Sequence, residues 1–258
     1  MKQIENSPSI SVVIPTLNRC AILPRAIDSV LKQTKSADEI IVIDNGSKDE
    51  TIDMLKANYP DIICLRQSKP GVSPTRNMGI SFSKSTWIAL LDSDDAWLPE
   101  KLEKQLYAIK QHSSYRLIHT NEVWYRNGKL VNQKNKHEKR GGNLFEHCLK
   151  LCCISPSSVL IHRELFEEVG RFDEDLPACE DYDLWLRISS RERVLFLNEP
   201  LTIKYGGHES QLSKKYWGMD RFRIISLEKI LLGGNLSQDQ ETAAYKMLIH
   251  KLKILING

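Results

Sequence analysis

Between residues 9 and 112, short apolar runs alternate with segments of helical periodicity, and this alternation restricts the fold more than any other feature of the chain. Ile10-Ser-Val-Val-Ile14 is a β-branched run stopped by Pro15, and Ala21 to Gln33 then carries Ile22, Leu23, Ala26, Ile27, Val30 and Leu31 at helical spacing. Glu39-Ile-Ile-Val-Ile-Asp44 repeats the strand, Asn45-Gly46-Ser47 is turn chemistry, and Lys48 to Asn58 is a short amphipathic helix. A third strand at Ile62 to Leu65, a helix over Ser73 to Ser83, a strand at Thr86 to Leu91 and a helix from Pro99 to Gln111 complete the series. Strands that are apolar throughout suit a sheet covered on both faces, and helical crossovers impose parallel pairing. The expected fold is therefore a doubly wound α/β layer, whose ligands bind at the carboxyl ends of the strands. Asp44 and Asp92 both fall there.

From about Tyr115 the pattern is mixed. Leu117 to Tyr125 has strand character, and Arg126 to Arg140 holds six basic and one acidic residue among Asn and Gly, which reads as a surface loop. Strands follow at Ser157 to His162, Arg193 to Leu197 and Leu201 to Tyr205, with helices at Arg163 to Val169 and Asp181 to Arg191. Two apolar-rich helices, about Met219 to Leu232 and Gln238 to Ile256, close the chain. The organisation expected is one domain over residues 1–215, its halves meeting near 112, and a helical extension over 216–258.

The chain can bury a sizeable core, since 41% of its 258 residues are apolar and 27% charged. A net charge of +3, from 36 basic and 33 acidic side chains, gives no field that would recruit nucleic acid, so no nucleic-acid partner is expected. Neither a signal peptide nor a membrane span is expected, because no run of 18 apolar residues occurs. Six cysteines fall short of a disulfide scaffold, and Cys148 and Cys152 lack a second pair to complete a zinc site, so free buried thiols are the reading.

The strongest local feature is Leu91-Asp-Ser-Asp-Asp-Ala-Trp97. Three carboxylates in four positions leave a buried strand, where their repulsion is costly unless a cation or its equivalent neutralises them. Hard divalent ions take carboxylate and phosphate oxygens, so Asp92 and Asp94 point to a site for Mg2+ or Mn2+ and a diphosphate. Taken alone, the same residues also make a solvated turn ahead of the helix at Pro99. Asp44 and Asn45 end a neighbouring strand, near enough to meet a base or ribose, and equally able to close an Asx turn.

Ser11-Val-Val-Ile-Pro-Thr-Leu-Asn-Arg19, Ile40-Ile-Val-Ile-Asp-Asn-Gly-Ser47, Gly71-Val-Ser-Pro-Thr-Arg-Asn-Met-Gly79, Leu91-Asp-Ser-Asp-Asp-Ala-Trp97 and Glu180-Asp-Tyr-Asp-Leu-Trp-Leu-Arg187 occur in that order. Their order and spacing resemble the family-2 inverting glycosyltransferases, which have the GT-A fold: a Rossmann-like, mostly parallel sheet flanked by helices, with a mixed acceptor-side region. The resemblance implies that residues 9–112 hold a nucleotide-sugar and residues 113–215 carry the acceptor side and a catalytic base. It assigns Pro15, Thr16, Asp44, Asn45, Arg76 and Asp92 to the donor nucleotide, with Asn77 packed beneath it. Asn45 stands where a second Asp is usual, and its amide can accept a hydrogen bond from a uracil or thymine ring N–H but can also donate one, which leaves the base open; a UDP-sugar is the donor the resemblance leads one to expect. Asp94 is expected to coordinate the metal, Asp92 to contact ribose or the metal, and His208 to ligate the metal or donate to a phosphate. Asp95 is the accessory carboxylate.

The resemblance further points to Asp181 as the base that deprotonates the acceptor hydroxyl, with Glu180 the neighbouring candidate. Carboxylates at a helix start are also favoured by its dipole. Trp97 and Trp185 could stack on a sugar or fill the core. The activity implied is transfer of a sugar, with inversion, to a saccharide or lipid-linked acceptor in polysaccharide or glycolipid assembly, in the cytoplasm or on the inner face of the membrane. Two other readings are a silent sugar-nucleotide or carbohydrate-binding module of the same fold and a nucleotidyltransferase, though Pro15-Thr-Leu-Asn18 is not the Gly-rich basic loop the latter uses. The basic stretch at 126–140 could face an anionic acceptor or only solvent. The last two helices could pack on the domain, lie on a membrane or form a dimer.

Overall fold

A computed structural model describes residues 8–133, 137–207 and 216–257. The N-terminal alternation folds as its pattern dictates. β1 (Ile10–Thr16), β2 (Glu39–Asp44), β3 (Ile63–Arg66) and β4 (Trp87–Leu90) are joined through α1 (Leu23–Leu31), α2 (Thr51–Asn58) and α3 (Val72–Phe82), and all pair in parallel. The sheet continues into the second half without a break. β5 (Ala96–Trp97), β6 (Leu117–Arg126), β7 (Lys129–Val131), β8 (Val159–His162) and β9 (Leu195–Gly206) extend it, in the order β3-β2-β1-β4-β8-β6-β9-β5, with β7 on β6. β8 runs antiparallel to both β4 and β6, so the sheet is parallel on the N-terminal side and mixed beyond it.

Alternate residues of the parallel strands feed two cores. Val13, Ile41, Ile43, Ile88 and Leu90 face α3 together with α5 (Phe145–Lys150), α6 (Arg163–Val169) and α7 (Glu180–Ser189). Val12, Ile14, Val42, Ala89 and Leu91 face α1, α2 and α4 (Lys101–Gln111). Gly79 lets α3 lie directly on the sheet, since a Cβ there would sit 2.5 Å from both Ile43 and Val13 side chains. α8 (Asp220–Leu232) and α9 (Gln238–Asn257) put Leu227, Ile230 and Ala244 into the first core, so these two helices pack on the domain. No helix among the described residues is long and apolar enough to cross a membrane.

Four elements differ from the sequence expectation. The start of the basic stretch is a hairpin, in which Asn127 (φ 50°) and Gly128 (φ 74°) turn β6 into β7. An Asn-Gly pair is the residue choice this turn demands. α5 was hidden because it is a single short run, Phe-Glu-His-Cys-Leu-Lys. β5 is two residues long, too short for any periodicity. The two strands expected at 193–205 are one, β9, which passes Asn198 to Pro200 where its register against β6 shifts at Thr120 and Asn121.

Candidate active site

The carboxyl ends of β1, β2 and β4 meet at one edge. Thr16 pairs with Asp44 across β1 and β2, and Leu91 is tied to Val13 by its backbone, which brings Asp92 to the same edge. Asp44 is fully buried and accepts the N–H groups of Gly46 and Ser47, closing the turn after β2. Asn45 donates to the carbonyls of Gln67 and Lys69 and accepts the N–H of Gly71, so its amide stitches the β2 and β3 loops together. Pro15 is buried, and the hydroxyl of Thr16, a residue only 3% exposed, has no hydrogen-bond partner among the described residues.

The acidic loop is held by groups from four elements. Ser157, in the turn before β8, accepts the N–H of Asp92 at 3.1 Å and donates to Asp95 at 2.5 Å. Arg25 of α1 donates to the Asp94 carbonyl at 2.5 Å and lies 3.6 Å over the Tyr205 ring. Lys204 of β9 contacts Asp95 and lies 3.5 Å from Asp92, while the N–H of Tyr205 reaches Asp95 at 3.2 Å. Burial disfavours the ammonium of Lys204, but Asp95 and Asp92 outweigh it and keep its pKa well above the ordinary lysine value. Asp92 also accepts from Arg76 at 2.7 Å. Burial opposes its ionisation, and Arg76 and Lys204 overrule that, holding its pKa down at about 2.

Oxygen atoms of Asp92, Asp94 and Asp95 all lie within 4.8 Å of one another. A set of hard carboxylate oxygens at this separation suits Mg2+ or Mn2+. His208 lies outside the described residues.

Arg76 links this loop to α7. It is 4% exposed, and its second terminal nitrogen donates to Glu180 at 2.6 Å. The guanidinium thus spans two carboxylates from beneath the site. Asn77 fixes the approach to α7 by exchanging hydrogen bonds with the backbone of Phe172, at 2.8 and 3.0 Å, and donating to Glu174. Burial and the adjacent Asp181 push the Glu180 carboxyl up, against the pull of Arg76. The chain enters α7 through Cys179, a non-glycine residue in the left-handed region at φ 61°.

Asp181 is partly exposed at the first turn of α7. One of its oxygens accepts the N–H of Tyr182 at 2.7 Å and the other accepts the thiol of Cys152 at 3.0 Å. Burial and Asp181 raise the Cys152 pKa well above the ordinary thiol value, which keeps it a donor. Both tryptophans are buried: Trp97 at 3% exposure, its Nε1 donating to the Ser157 carbonyl, and Trp185 at 1% within the core.

Sequence reading alone missed Lys204, Arg25, Ser157 and Cys152. The one signal was for Lys204, a charged residue inside the apolar run Leu201 to Tyr205.

The sequence pattern of glycosyl transferase family 2 matches residues 11–170, from β1 to the end of α6, with the acidic loop inside it. A glycosyltransferase of Rickettsia prowazekii is 34% identical over 224 residues, covering 82% of this chain and 68% of its own length. A PGL/p-HBAD biosynthesis glycosyltransferase of Mycobacterium bovis is 26% identical over 194 residues, 73% of each chain. Among solved structures, S. aureus TarS in complex with UDP-GlcNAc aligns with a TM-score of 0.75 at 18% identity, over 95% of this chain and 71% of that one, and the shared fold is GT-A. With the family pattern running through the strands that carry Asp44 and Asp92, the chain belongs to glycosyl transferase family 2.

Proposed function

We propose that this glycosyltransferase moves a sugar from a nucleoside-diphosphate sugar, a UDP-sugar, to an acceptor hydroxyl with inversion at the anomeric carbon. The observation that carries the reading is the buried link Glu180–Arg76–Asp92, with contacts of 2.6 and 2.7 Å. It ties the helix that presents Asp181 to the loop that presents Asp92 and Asp94. A single-step inverting displacement needs this arrangement: a carboxylate on one side of the anomeric carbon and charge compensation for the leaving diphosphate on the other.

In this reading Asp181 accepts the proton of the acceptor hydroxyl as the new glycosidic bond forms. Cys152 and the Tyr182 N–H hold its two oxygens in place. Thr16, with Pro15, Asp44 and Asn45 forming the wall around it, lines the nucleotide pocket; its buried hydroxyl is the group available to a ribose or base. Arg76 acts from beneath, by fixing Asp92 and Glu180. Asp94 with Asp92, and Asp95 behind them, would hold Mn2+ or Mg2+, which supplies positive charge to the departing diphosphate. The TarS complex with UDP-GlcNAc supports a UDP-sugar donor, and the mycobacterial relative supports a role in glycolipid or polysaccharide assembly with a saccharide or lipid-linked acceptor.

The test is a donor panel assayed for nucleoside diphosphate release and for the anomeric configuration of the product by NMR. Asp181→Asn is expected to bind UDP as wild type does and to lose roughly 100-fold or more in turnover. A retained anomeric configuration, or near-normal turnover by Asp181→Asn, would sink the reading. Donor binding with no turnover on any acceptor would favour a binding module instead.

A further inference from the structure

The acidic loop already contains a cation of the protein's own. Lys204 reaches it from the last turn-ward residues of β9, with its ammonium on the Asp95 carboxylate and 3.5 Å from the Asp92 oxygen that Arg76 does not take. The pairing is anchored from both ends. Asp95 is 1% exposed and is also held by the Ser157 hydroxyl and the Tyr205 N–H, and Lys204 is itself only 25% exposed along its side chain. The lysine therefore occupies carboxylate oxygens of two of the three residues whose oxygens cluster within 4.8 Å.

We infer that Lys204 is a resident counterion that competes with a divalent metal for Asp92 and Asp95 and so sets the metal affinity of the free enzyme low. The inference rests on the reading of this loop as the metal site. An ammonium and a divalent ion cannot share the same oxygens without strong repulsion in so sheltered a place. In the absence of donor the lysine satisfies the loop, which explains how three adjacent carboxylates are tolerated at a buried strand end. A diphosphate brings further oxygens and negative charge, and these favour the metal over the lysine. Metal and donor then bind with positive coupling, each raising the affinity for the other by the same factor. Lys204 is a positioning residue in this scheme, acting through the carboxylates it holds.

The test is binding of Mn2+ alone, followed by the loss of the free-ion EPR signal on titration, with no acceptor and no turnover involved. Lys204→Met is expected to bind Mn2+ at least ten-fold more tightly than wild type, and Lys204→Arg to stay near wild type. Should Lys204→Met fail to fold, Lys204→Gln removes the charge while keeping a donor for Asp95, and is expected to bind Mn2+ at least about five-fold more tightly than wild type. Adding UDP is expected to tighten Mn2+ binding in wild type by a larger factor than in Lys204→Met. Equal Mn2+ affinity in wild type and the lysine variants, with binding abolished by Asp94→Asn, would overturn the counterion role and leave the metal site standing. Absence of Mn2+ binding in every protein, with or without UDP, would overturn both.

Discussion

The thiol of Cys152 donates to the carboxylate of Asp181 over 3.0 Å, so the candidate base is oriented by a residue from the segment between α5 and β8. The other Asp181 oxygen is engaged by the N–H of Tyr182, which leaves little rotational freedom to the carboxylate. A hydrogen bond to a charged acceptor contributes about 1.5–3 kcal/mol at most, and a weak thiol donor less. Cys152→Ala is therefore expected to lower kcat by roughly five-fold, with the KM for donor unchanged, and Cys152→Ser to restore most of the loss because its hydroxyl can donate in the same place. Steady-state kinetics with saturating acceptor separate the two parameters. A Cys152→Ala enzyme with wild-type kcat would show that the thiol does not position the base.

Arg76 is buried between two carboxylates of the site, at 4% exposure. Removing one partner of a buried ionic group strands the others, and the usual cost is about 3–5 kcal/mol. Arg76→Met is expected to lose that much in urea unfolding. Arg76→Lys keeps the charge and one contact, and it is expected to fall between the two. A loss below about 1 kcal/mol in Arg76→Met would mean that the Glu180–Arg76–Asp92 link contributes little to holding α7 against the acidic loop.

How much of the site could be read from the sequence depends on where each residue's partners lie along the chain. Asp44 and Asp92 were legible because the strands that deliver them are local patterns, and position at a strand end is itself the signal. The doubly covered sheet was legible for the same reason. Lys204 was not, since it lies 112 residues from Asp92 and meets it only after β9 has joined β6 at the far side of the sheet. Cys152 and Asp181, 29 residues apart, meet through a turn with no periodicity to follow. Asn45 was read toward a nucleotide base, yet its amide is engaged by the Gln67, Lys69 and Gly71 backbone, a tertiary arrangement that local turn chemistry does not announce. The β6–β7 hairpin is the opposite case. Its Asn127-Gly128 signal is present in the sequence and was outweighed by the basic composition around it.

Thr16 offers a test of the nucleotide pocket that stability can be separated from. Its hydroxyl is buried without a partner among the described residues, a situation that costs about 1–3 kcal/mol relative to a satisfied group. Thr16→Val is close to isosteric and removes the hydroxyl, so the apo protein is expected to be as stable as wild type or more so. UDP binding by the same variant, followed by calorimetry, is expected to weaken by roughly five- to ten-fold, since about 1 kcal/mol of hydrogen bonding to the ligand is lost. Unchanged UDP affinity would remove Thr16 from the pocket, and a clear loss of stability would mean that its hydroxyl is already satisfied in the fold.

Lys101 gives the fold a pH dependence of defined sign. It is fully buried at the start of α4, its Nζ 4.0 Å from the centre of the Trp97 ring and donating to Gln105 at 2.8 Å, and it pairs with no carboxylate among the described residues. Burial lowers its pKa well below the ordinary lysine value of 10.5. Below that value the unfolded chain takes up a proton that the native chain does not. Stability must then fall as pH drops from about 10.5 toward the native pKa, with a limiting slope of about 1.4 kcal/mol per pH unit from this one residue. Lys101→Met keeps the volume and the contact with Trp97 while abolishing the titration. Its stability advantage over wild type is expected to be small near pH 10 and to widen steadily toward pH 7. Urea midpoints measured at several pH values give the difference directly, because every other titrating group is common to the two proteins. Parallel curves for wild type and Lys101→Met would show that Lys101 keeps its proton in the native state, with the Trp97 ring face and the Gln105 carbonyl sufficient to stabilise a buried ammonium.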